Sequence, residues 1–298
     1  MISEDLRQGF TRAALGPDPD LAAAALMIAR LEYPRLDAAP YVQHLEKLGR
    51  EASDRLRLSG PAPDDIPAGV DPDGYAQISA LNDFLFREER FVGNDHHYED
   101  PRNSFLNEVL ERRTGIPITL ALVYLEVGRR AGVAVEGVNF PGHFLVRCRA
   151  QAPHTRDLII DAFHGGALLS EDACRALIKR HAGGDPHDEA SLFGPATKPQ
   201  ILTRMLLNLK RLYVKMRSFP QARDAQELLL AVDPSATGEL RDRGLLAYHM
   251  NDFPGALRDL QAWLELTSFG DPGSDDRDEQ AQVWEHIKTL RRRMASLN

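Results

Sequence analysis

The stretch that decides the fold lies in the middle of the chain: Thr114-Gly115-Ile116-Pro117-Ile118-Thr119-Leu120-Ala121. It predicts the start of a long apolar helix, because proline suits the first turn, where a missing N–H costs nothing. Apolar residues recur at helical spacing as far as Val127, and Gly132 is a typical residue to end a helix. We therefore expect a buried helix from about Ile116.

Two short segments downstream, Phe144–Arg149 and Asp157–Phe163, predict a β-hairpin with one apolar face. A hairpin centred near Ala152 gives these opposed pairs: His143 with Asp161, Leu145 with Ile159, and Arg147 with Asp157. Directly opposed residues share a face of the sheet and approach closely. This register therefore predicts a histidine–carboxylate pair, which a shift of one residue would destroy.

The flanking segments predict further helices and loops. We expect an N-terminal helical region over residues 1–60 and a loop rich in Pro, Asp and Gly from Gly60 to Gly74. A core follows over residues 75–195, with a short helix at Asn103–Leu110 and a strand at Val133–Val138.

From Lys198 onward the pattern is helical and repetitive. Matching residues recur about 34 positions apart, which is the tetratricopeptide period. They include Leu212 and Leu246, Met216 and Met250, Phe219 and Phe253, Pro220 and Pro254, Ala222 and Ala256, and Leu230 and Leu264. Residues 198–298 are therefore expected to form tetratricopeptide repeats, with a polar loop at Gly270–Asp278 and a capping helix at Gln280–Leu297.

Composition excludes several function classes. The formal net charge is -8 and 27% of the residues are charged, so we expect no nucleic-acid partner. Two cysteines in 298 residues indicate a reducing compartment rather than a disulfide framework. No apolar stretch is long enough to span a membrane, and acidic residues near the N-terminus argue against a signal peptide. We therefore predict a cytoplasmic protein without a membrane partner.

Several motifs together resemble the SirB-type bacterial family, and the resemblance covers the chain from about Asp20 to the C-terminus. They are Phe91–Asn94, Tyr98–Pro101, Asn103–Asn107, Gly115–Leu120, Gly137–Arg147 and Ile160–Phe163. The resemblance implies an α+β fold: a mostly helical, transglutaminase-like (papain-like) core with a small antiparallel sheet, followed by an all-α tetratricopeptide segment. It implies no settled biochemical activity.

The wider transglutaminase-like superfamily places a nucleophilic cysteine at the start of the core helix. The resemblance puts His143 at its histidine position and Asp161 at its aspartate position, but the cysteine falls on Pro117. Proline has no nucleophilic atom and no N–H, so the covalent route through a thioester is lost. A transglutaminase-like acyl transfer is therefore not expected.

Alternatives remain open for the individual residues. His143 and Asp161 form either a residual catalytic pair or a structural pair that satisfies its own hydrogen bonds. Thr119 is a weak candidate for a substitute nucleophile, because a threonine in a first helical turn usually bonds to the backbone. Cys148 lies on the opposite strand face from His143, and Cys174 lies among alanines, so both are expected in the core.

The remaining candidates are a metal site and a loop beside the cleft. His96, His97, His143, His154, His164 and Asp161 offer ligand atoms but no compact metal-binding spacing, so we expect no metal and no cofactor. In the loop Asn139-Phe140-Pro141-Gly142, we interpret Pro141 and Gly142 as a rigid turn. Asn139 remains open as a donor or peptide-binding group beside Pro117.

The sequence thus supports two functions from different classes. The first is a non-catalytic or degenerate transglutaminase-like protein that binds a protein or peptide partner through its repeats, in regulation or assembly. The alternative is a hydrolase of amide or peptide bonds that uses His143, Asp161 and an activated water.

Overall fold

The computed structural model describes residues 2–17, 20–63, 66–182, 193–267 and 274–296. Within these ranges the chain forms twelve α-helices, a four-stranded antiparallel sheet and one pair of two-residue parallel strands. The predicted fold class is confirmed: a mostly helical α+β chain with a small sheet, followed by helices alone.

The elements are numbered in chain order. The helices are α1 (Glu4–Leu15), α2 (Leu21–Ala29), α3 (Ala39–Leu58), α4 (Pro72–Asn82), α5 (Leu106–Arg112), α6 (Pro117–Ala131), α7 (Glu171–Ala182), α8 (Lys198–Lys215), α9 (Phe219–Val232), α10 (Thr237–His249), α11 (Phe253–Thr267) and α12 (Ser274–Ser296). The strands are β1 (Val92–Gly93), β2 (Thr114–Gly115), β3 (Val135–Val138), β4 (Leu145–Cys148), β5 (Leu158–Asp161) and β6 (Ala167–Leu169).

The chain divides into two compact units. The core unit comprises Gly16–Met205, and the repeat unit comprises Met1–Leu15 together with Leu206–Asn298. The predicted N-terminal helical region is thus shared: α2 and α3 belong to the core unit, whereas α1 packs against α9 of the repeat unit. The boundaries predicted at residues 60, 75, 195 and 198 stay predictions.

Helix α6 is the centre of the core unit. Pro117 is its first residue, and every residue from Pro117 to Gly128 is buried. Gly132 ends the helix with a φ of 85°, a left-handed conformation that glycine adopts without strain. The helix packs against α3 and beneath β3 and β4. Burial on all sides explains why its sequence is apolar well beyond a single stripe.

The segment before α6 differs from its prediction. A short 3₁₀ helix covers Pro101–Ser104 and α5 starts only at Leu106, so the single helix predicted at Asn103–Leu110 is wrong. Phe105 is extended between them, with φ of −102° and ψ of 123°. The Asn103 amide nitrogen donates to the carbonyl of His97 at 2.8 Å, a tertiary contact that holds the chain in the tighter turn.

The main sheet has the strand order β3-β4-β5-β6, with every neighbouring pair antiparallel. In the β4–β5 pair, Arg147 faces Ile159 and Val146 faces Ile160. The predicted register, which opposed Arg147 to Asp157, is therefore wrong by two residues. A shift of two preserves which side chains share a face, because the side-chain period of a strand is two. His143 and Asp161 consequently remain on one side of the sheet.

Both faces of the sheet are covered. Leu145, Val138 and Phe140 form one buried cluster, against which Leu177 of α7 and Phe193 pack. Cys148, on the opposite face, lies next to Tyr124 of α6. The site described below lies at the end of β5, where both α6 and β1 approach the short 3₁₀ helix that follows the strand.

The repeat unit consists of α1, the C-terminal part of α8, and α9 to α12. Phe219 and Phe253 begin α9 and α11, each followed by a proline in the first turn, as the repeat pattern predicts. The final helix begins at Ser274 rather than Gln280, so the predicted polar loop is too long at its C-terminal end. Its first residues, 270–273, lie outside the described residues.

Candidate functional site

A tight turn positions His143 in the site. The His143 N–H donates to the carbonyl of Phe140 at 3.2 Å, and Gly142 between them has a φ of 70°. Proline at the second position and glycine at the third are what a type II turn requires. This geometry agrees with the interpretation of Pro141 and Gly142 as a rigid turn. It fixes the angle at which the His143 side chain enters the site.

Asp161 is held by the backbone that follows it. It is the last residue of β5 and caps the 3₁₀ helix Ala162–His164, where its Oδ1 accepts from the N–H groups of Phe163 and His164 at 3.1 and 3.3 Å. These two backbone hydrogen bonds hold the carboxylate in place independently of any contact with another side chain. A short polar side chain at this position is the usual cap of such a turn.

Two imidazoles then bind this one carboxylate. His143 Nε2 lies 2.9 Å from Asp161 Oδ1, and His164 Nδ1 lies 2.8 Å from Asp161 Oδ2. His143 and Asp161 are buried, with 8% and 3% of their surfaces exposed, whereas the His164 side chain is 59% exposed. The structure therefore brings together the predicted pair and adds a third member.

The electrostatics of the cluster favour the ionised carboxylate. Burial by itself raises the pKa of Asp161, but the hydrogen bonds and charge interactions with His143 and His164 outweigh it, and the net pKa is lowered. Asp161 therefore carries its negative charge at neutral pH in a site almost closed to solvent. The three ligand atoms offered by His143, Asp161 and His164 lie within 4.8 Å of one another.

Aromatic rings pack beside the cluster. The edge of Phe163 meets His143 with ring centroids 6.2 Å apart, and Tyr98 meets Phe163 at 6.1 Å. Gly93 of β1 passes so close that an added Cβ would lie 2.5 Å from the Phe163 carbonyl oxygen. A glycine is therefore required there for the strand to approach the site. The Phe163 ring thus forms part of the environment of the His143 side chain.

The helix start that would carry a nucleophile is closed. Pro117 is buried at the first position of α6. Thr119 is completely buried, and its hydroxyl accepts from the Ile116 N–H at 3.1 Å and donates to the Asn103 carbonyl at 2.7 Å. Its single proton is thus engaged with the backbone, as threonine in a first turn usually is. This role is structural rather than nucleophilic.

Neither thiol is activated. Burial raises the pKa of both Cys148 and Cys174 to about 11. A reactive cysteine needs the opposite, a pKa lowered by positive charge or a helix N-terminus. Cys148 also lies on the sheet face that carries Val146 and Ile160, away from His143.

Asn139 is exposed, and its expected place beside the cleft stays a prediction. Its side-chain oxygen accepts a hydrogen bond from Arg204 at 3.0 Å. Among the metal candidates, His164 joins His143 and Asp161, while His96, His97 and His154 are exposed in loops and outside this cluster. The signal that could have found His164 was its spacing: three residues after Asp161, at the end of one helical turn.

The buried helix, the antiparallel sheet and the histidine–aspartate pair define a transglutaminase-like core, and the helical pairs that follow define a repeat segment. The profile of the transglutaminase-like superfamily matches residues 39–207, and a tetratricopeptide-repeat profile matches residues 209–292. The chain belongs to the transglutaminase-like superfamily and, within it, to the UPF0162 proteins.

The relatives differ in how much of the chain they share. A UPF0162 protein of Xylella fastidiosa (strain Temecula1) is 36% identical over 252 residues, which is 83% of each chain. One from Pseudomonas aeruginosa is 31% identical over 96% of each chain. F-box only protein 21 of Homo sapiens is 35% identical over 59% of this chain but 28% of its own length. None of the described helices has the length and apolar character needed to cross a bilayer.

Proposed function

We propose that this protein is a degenerate transglutaminase-like protein that acts by binding other proteins through its repeat unit. The observation that carries the proposal is Pro117 at the first position of α6, where the superfamily places its nucleophile. A proline there removes both the sulfur and the backbone N–H that would help to stabilise a thiolate. The surrounding residues supply no replacement.

The closed helix start supports this reading. The Asn103 carbonyl and the Ile116 N–H both bond to Thr119, so the loop before α5 is fastened against the helix. Among the described residues, both thiols have a raised pKa and face the core. A triad without its nucleophile retains a histidine and an acid but has no atom that can form the covalent intermediate with a substrate.

The repeat unit supplies the binding surface in this proposal. Tetratricopeptide repeats stack helical pairs into surfaces that recognise peptides or helices. Five large apolar side chains of this unit are 43–58% exposed: Leu15, Val214, Met216, Leu266 and Trp284. A contiguous patch of exposed apolar side chains is typical of interaction sites, and the proposal takes these residues to contribute to such a patch. The partner is therefore expected to be a protein or peptide with an apolar face.

The experiment is capture of partners by the full chain from a lysate of its host, followed by direct binding with each purified candidate. Met216→Asp and Trp284→Glu alter exposed positions of the repeat unit, and Leu58→Asp is the matched control in the core unit, where Leu58 is 80% exposed. Partners should be lost with the first two variants and kept with Leu58→Asp and His143→Ala. Equal binding by all four variants would contradict the proposal.

The hydrolase alternative retains one specific observation. The His143–Asp161 pair is intact at 2.9 Å, and His143 Nδ1 has no hydrogen-bond partner among the described residues. A free ring nitrogen beside a fixed carboxylate could activate a water molecule. Amide or peptide turnover that disappears in His143→Ala, with the fold retained, would establish this function in place of the first.

The proposal also includes two more specific assignments, the bacterial family and the cellular location. Membership of the SirB-type bacterial family is supported by the motif from Gly137 to Arg147. A cytoplasmic location is supported by Cys148 and Cys174, which are both unpaired, as expected in a reducing compartment.

A further inference from the structure

We propose that His143, Asp161 and His164 form a binding site for one divalent transition-metal ion of the zinc class. The proposal is independent of partner binding by the repeat unit. It rests on the charge balance of a buried carboxylate and on the geometry of three side chains at the end of β5.

The Asp161 carboxylate lacks a permanent cation. Its ion-pair partners in the described structure are His143 and His164, which are charged only when protonated. Of the other buried carboxylates, Glu126 pairs with Arg130 and Asp259 pairs with Arg243, whereas Asp71 accepts hydrogen bonds from the backbone N–H groups of Asp73 and Gln151. A buried carboxylate needs a paired cation or a metal ion to offset its desolvation. Asp161 is thus suited to a cation that no lysine or arginine in the described part of the chain provides.

The donor set matches a particular group of metals. Two imidazole nitrogens and one carboxylate oxygen are ligands that Zn²⁺ binds readily, and the same set suits Co²⁺, Fe²⁺ and Ni²⁺. A three-ligand protein site leaves the fourth position for water. Calcium and magnesium prefer oxygen ligands, so they are not expected here.

The geometry needs only a small adjustment. With bonds of about 2.0–2.1 Å, a tetrahedral zinc ion holds its ligand atoms about 3.3 Å apart. His143 Nε2 lies 2.9 Å from Oδ1 of Asp161 and His164 Nδ1 lies 2.8 Å from Oδ2, and one ligand atom from each of the three residues lies within 4.8 Å of the others. The change falls on His164, whose side chain is 59% exposed and has room to turn.

Part of the carboxylate is already oriented for this role. Oδ1 accepts two backbone N–H groups, from Phe163 and His164, whereas Oδ2 accepts only the His164 ring. Oδ2 is therefore the oxygen available to an ion, and the backbone bonds to Oδ1 hold the ligand in position. Each neutral imidazole would carry its proton on the other ring nitrogen: Nδ1 of His143 and Nε2 of His164. In the metal-free protein both of these nitrogens donate to the ionised carboxylate, so each imidazole must move its proton to its other ring nitrogen when the ion binds.

The test uses the full chain without a histidine tag, stripped of metal by a chelator and titrated with zinc chloride by calorimetry. His164→Gln removes a ligand while its amide can still donate to Asp161. His97→Gln is the matched control, because His97 is also exposed but lies outside the cluster. Wild type and His97→Gln should bind one equivalent with the same affinity, and His164→Gln should bind at least about tenfold more weakly.

Two further measurements use the wild-type protein alone. Zinc should shift the NMR resonances of His143 Nε2 and His164 Nδ1, and cobalt should give the visible absorption of a low-coordinate site. The proposal is overturned if millimolar zinc does not bind, if His164→Gln and His97→Gln bind it alike, or if the two ring nitrogens do not respond.

Discussion

The sharpest structural prediction concerns Thr119, whose hydroxyl fastens the start of α6. Thr119→Val keeps the shape of the side chain but removes its oxygen. The Ile116 N–H and the Asn103 carbonyl, bonded to that oxygen at 3.1 and 2.7 Å, would then lose this partner in the interior. An unsatisfied buried polar group costs about 1–3 kcal/mol, so two of them should lower the free energy of unfolding by about 2–6 kcal/mol.

Thr119→Ser is the matched control, because it keeps the hydroxyl and removes only a methyl group, at a cost of about 1 kcal/mol. Urea unfolding followed by far-ultraviolet circular dichroism measures the difference. Both tryptophans, Trp263 and Trp284, belong to the repeat unit, so their fluorescence serves as a separate probe of that unit. Hydrogen exchange at the Ile116 amide should accelerate strongly in Thr119→Val and slightly in Thr119→Ser.

One result would refute the reasoning. If Thr119→Val is as stable as Thr119→Ser within about 0.5 kcal/mol, the hydroxyl does not hold the helix start. Thr119 would then again be a candidate for chemistry, because its conformation would not be determined by the backbone.

Three further predictions test the site and its surroundings. With thiol pKa values of about 11, Cys148 and Cys174 are almost entirely protonated at pH 8. In the native protein they should therefore react with a disulfide reagent at least about a hundredfold more slowly than in urea. Rapid labelling of the native protein would contradict their burial. Because the pKa of Asp161 is lowered on folding, its ionised form stabilises the protein above the unfolded value near 4, and that contribution is lost as pH falls through the folded pKa. The free energy of unfolding should therefore fall less steeply at acidic pH in Asp161→Asn than in the wild type. An unchanged pH dependence would contradict this account. Gly142→Ala places a side chain at a φ of 70°, which costs about 1–2 kcal/mol. Gly132→Ala, at a φ of 85°, should cost a similar amount, but only Gly142→Ala should shift the NMR resonances of the His143 ring.

The site could be predicted in part from the sequence, because the face of a strand on which a side chain lies depends only on its position along that strand. His143 and Asp161 lie on one side of the sheet in any register that preserves the strand period. The register itself was wrong by two residues, since Arg147 faces Ile159. The loop between the strands is long, so its length alone does not fix how the two strands pair.

The contact between His164 and Asp161 was not predicted from the sequence. The spacing of three residues between Asp161 and His164 is a local signal, but that spacing does not show that a 3₁₀ helix follows β5 and turns the ring back onto the carboxylate. The tie between Asn103 and Thr119 is similar: the two residues are far enough apart that folding, and not sequence spacing, brings them together. Such contacts depend on packing between elements, which periodicity does not describe.

The sequence by itself determined the features that depend on near neighbours: a proline-started helix ending at Gly132, a Pro-Gly turn before His143, and a helical repeat. Helix ends, turns and repeats follow from backbone preferences over a few residues, so they can be read directly. Only the tertiary structure decided the strand register, the closure of the helix start by Thr119, and the joining of two imidazoles on one buried carboxylate. These depend on which distant surfaces become buried together, and the free energy of that burial is not encoded at any single position.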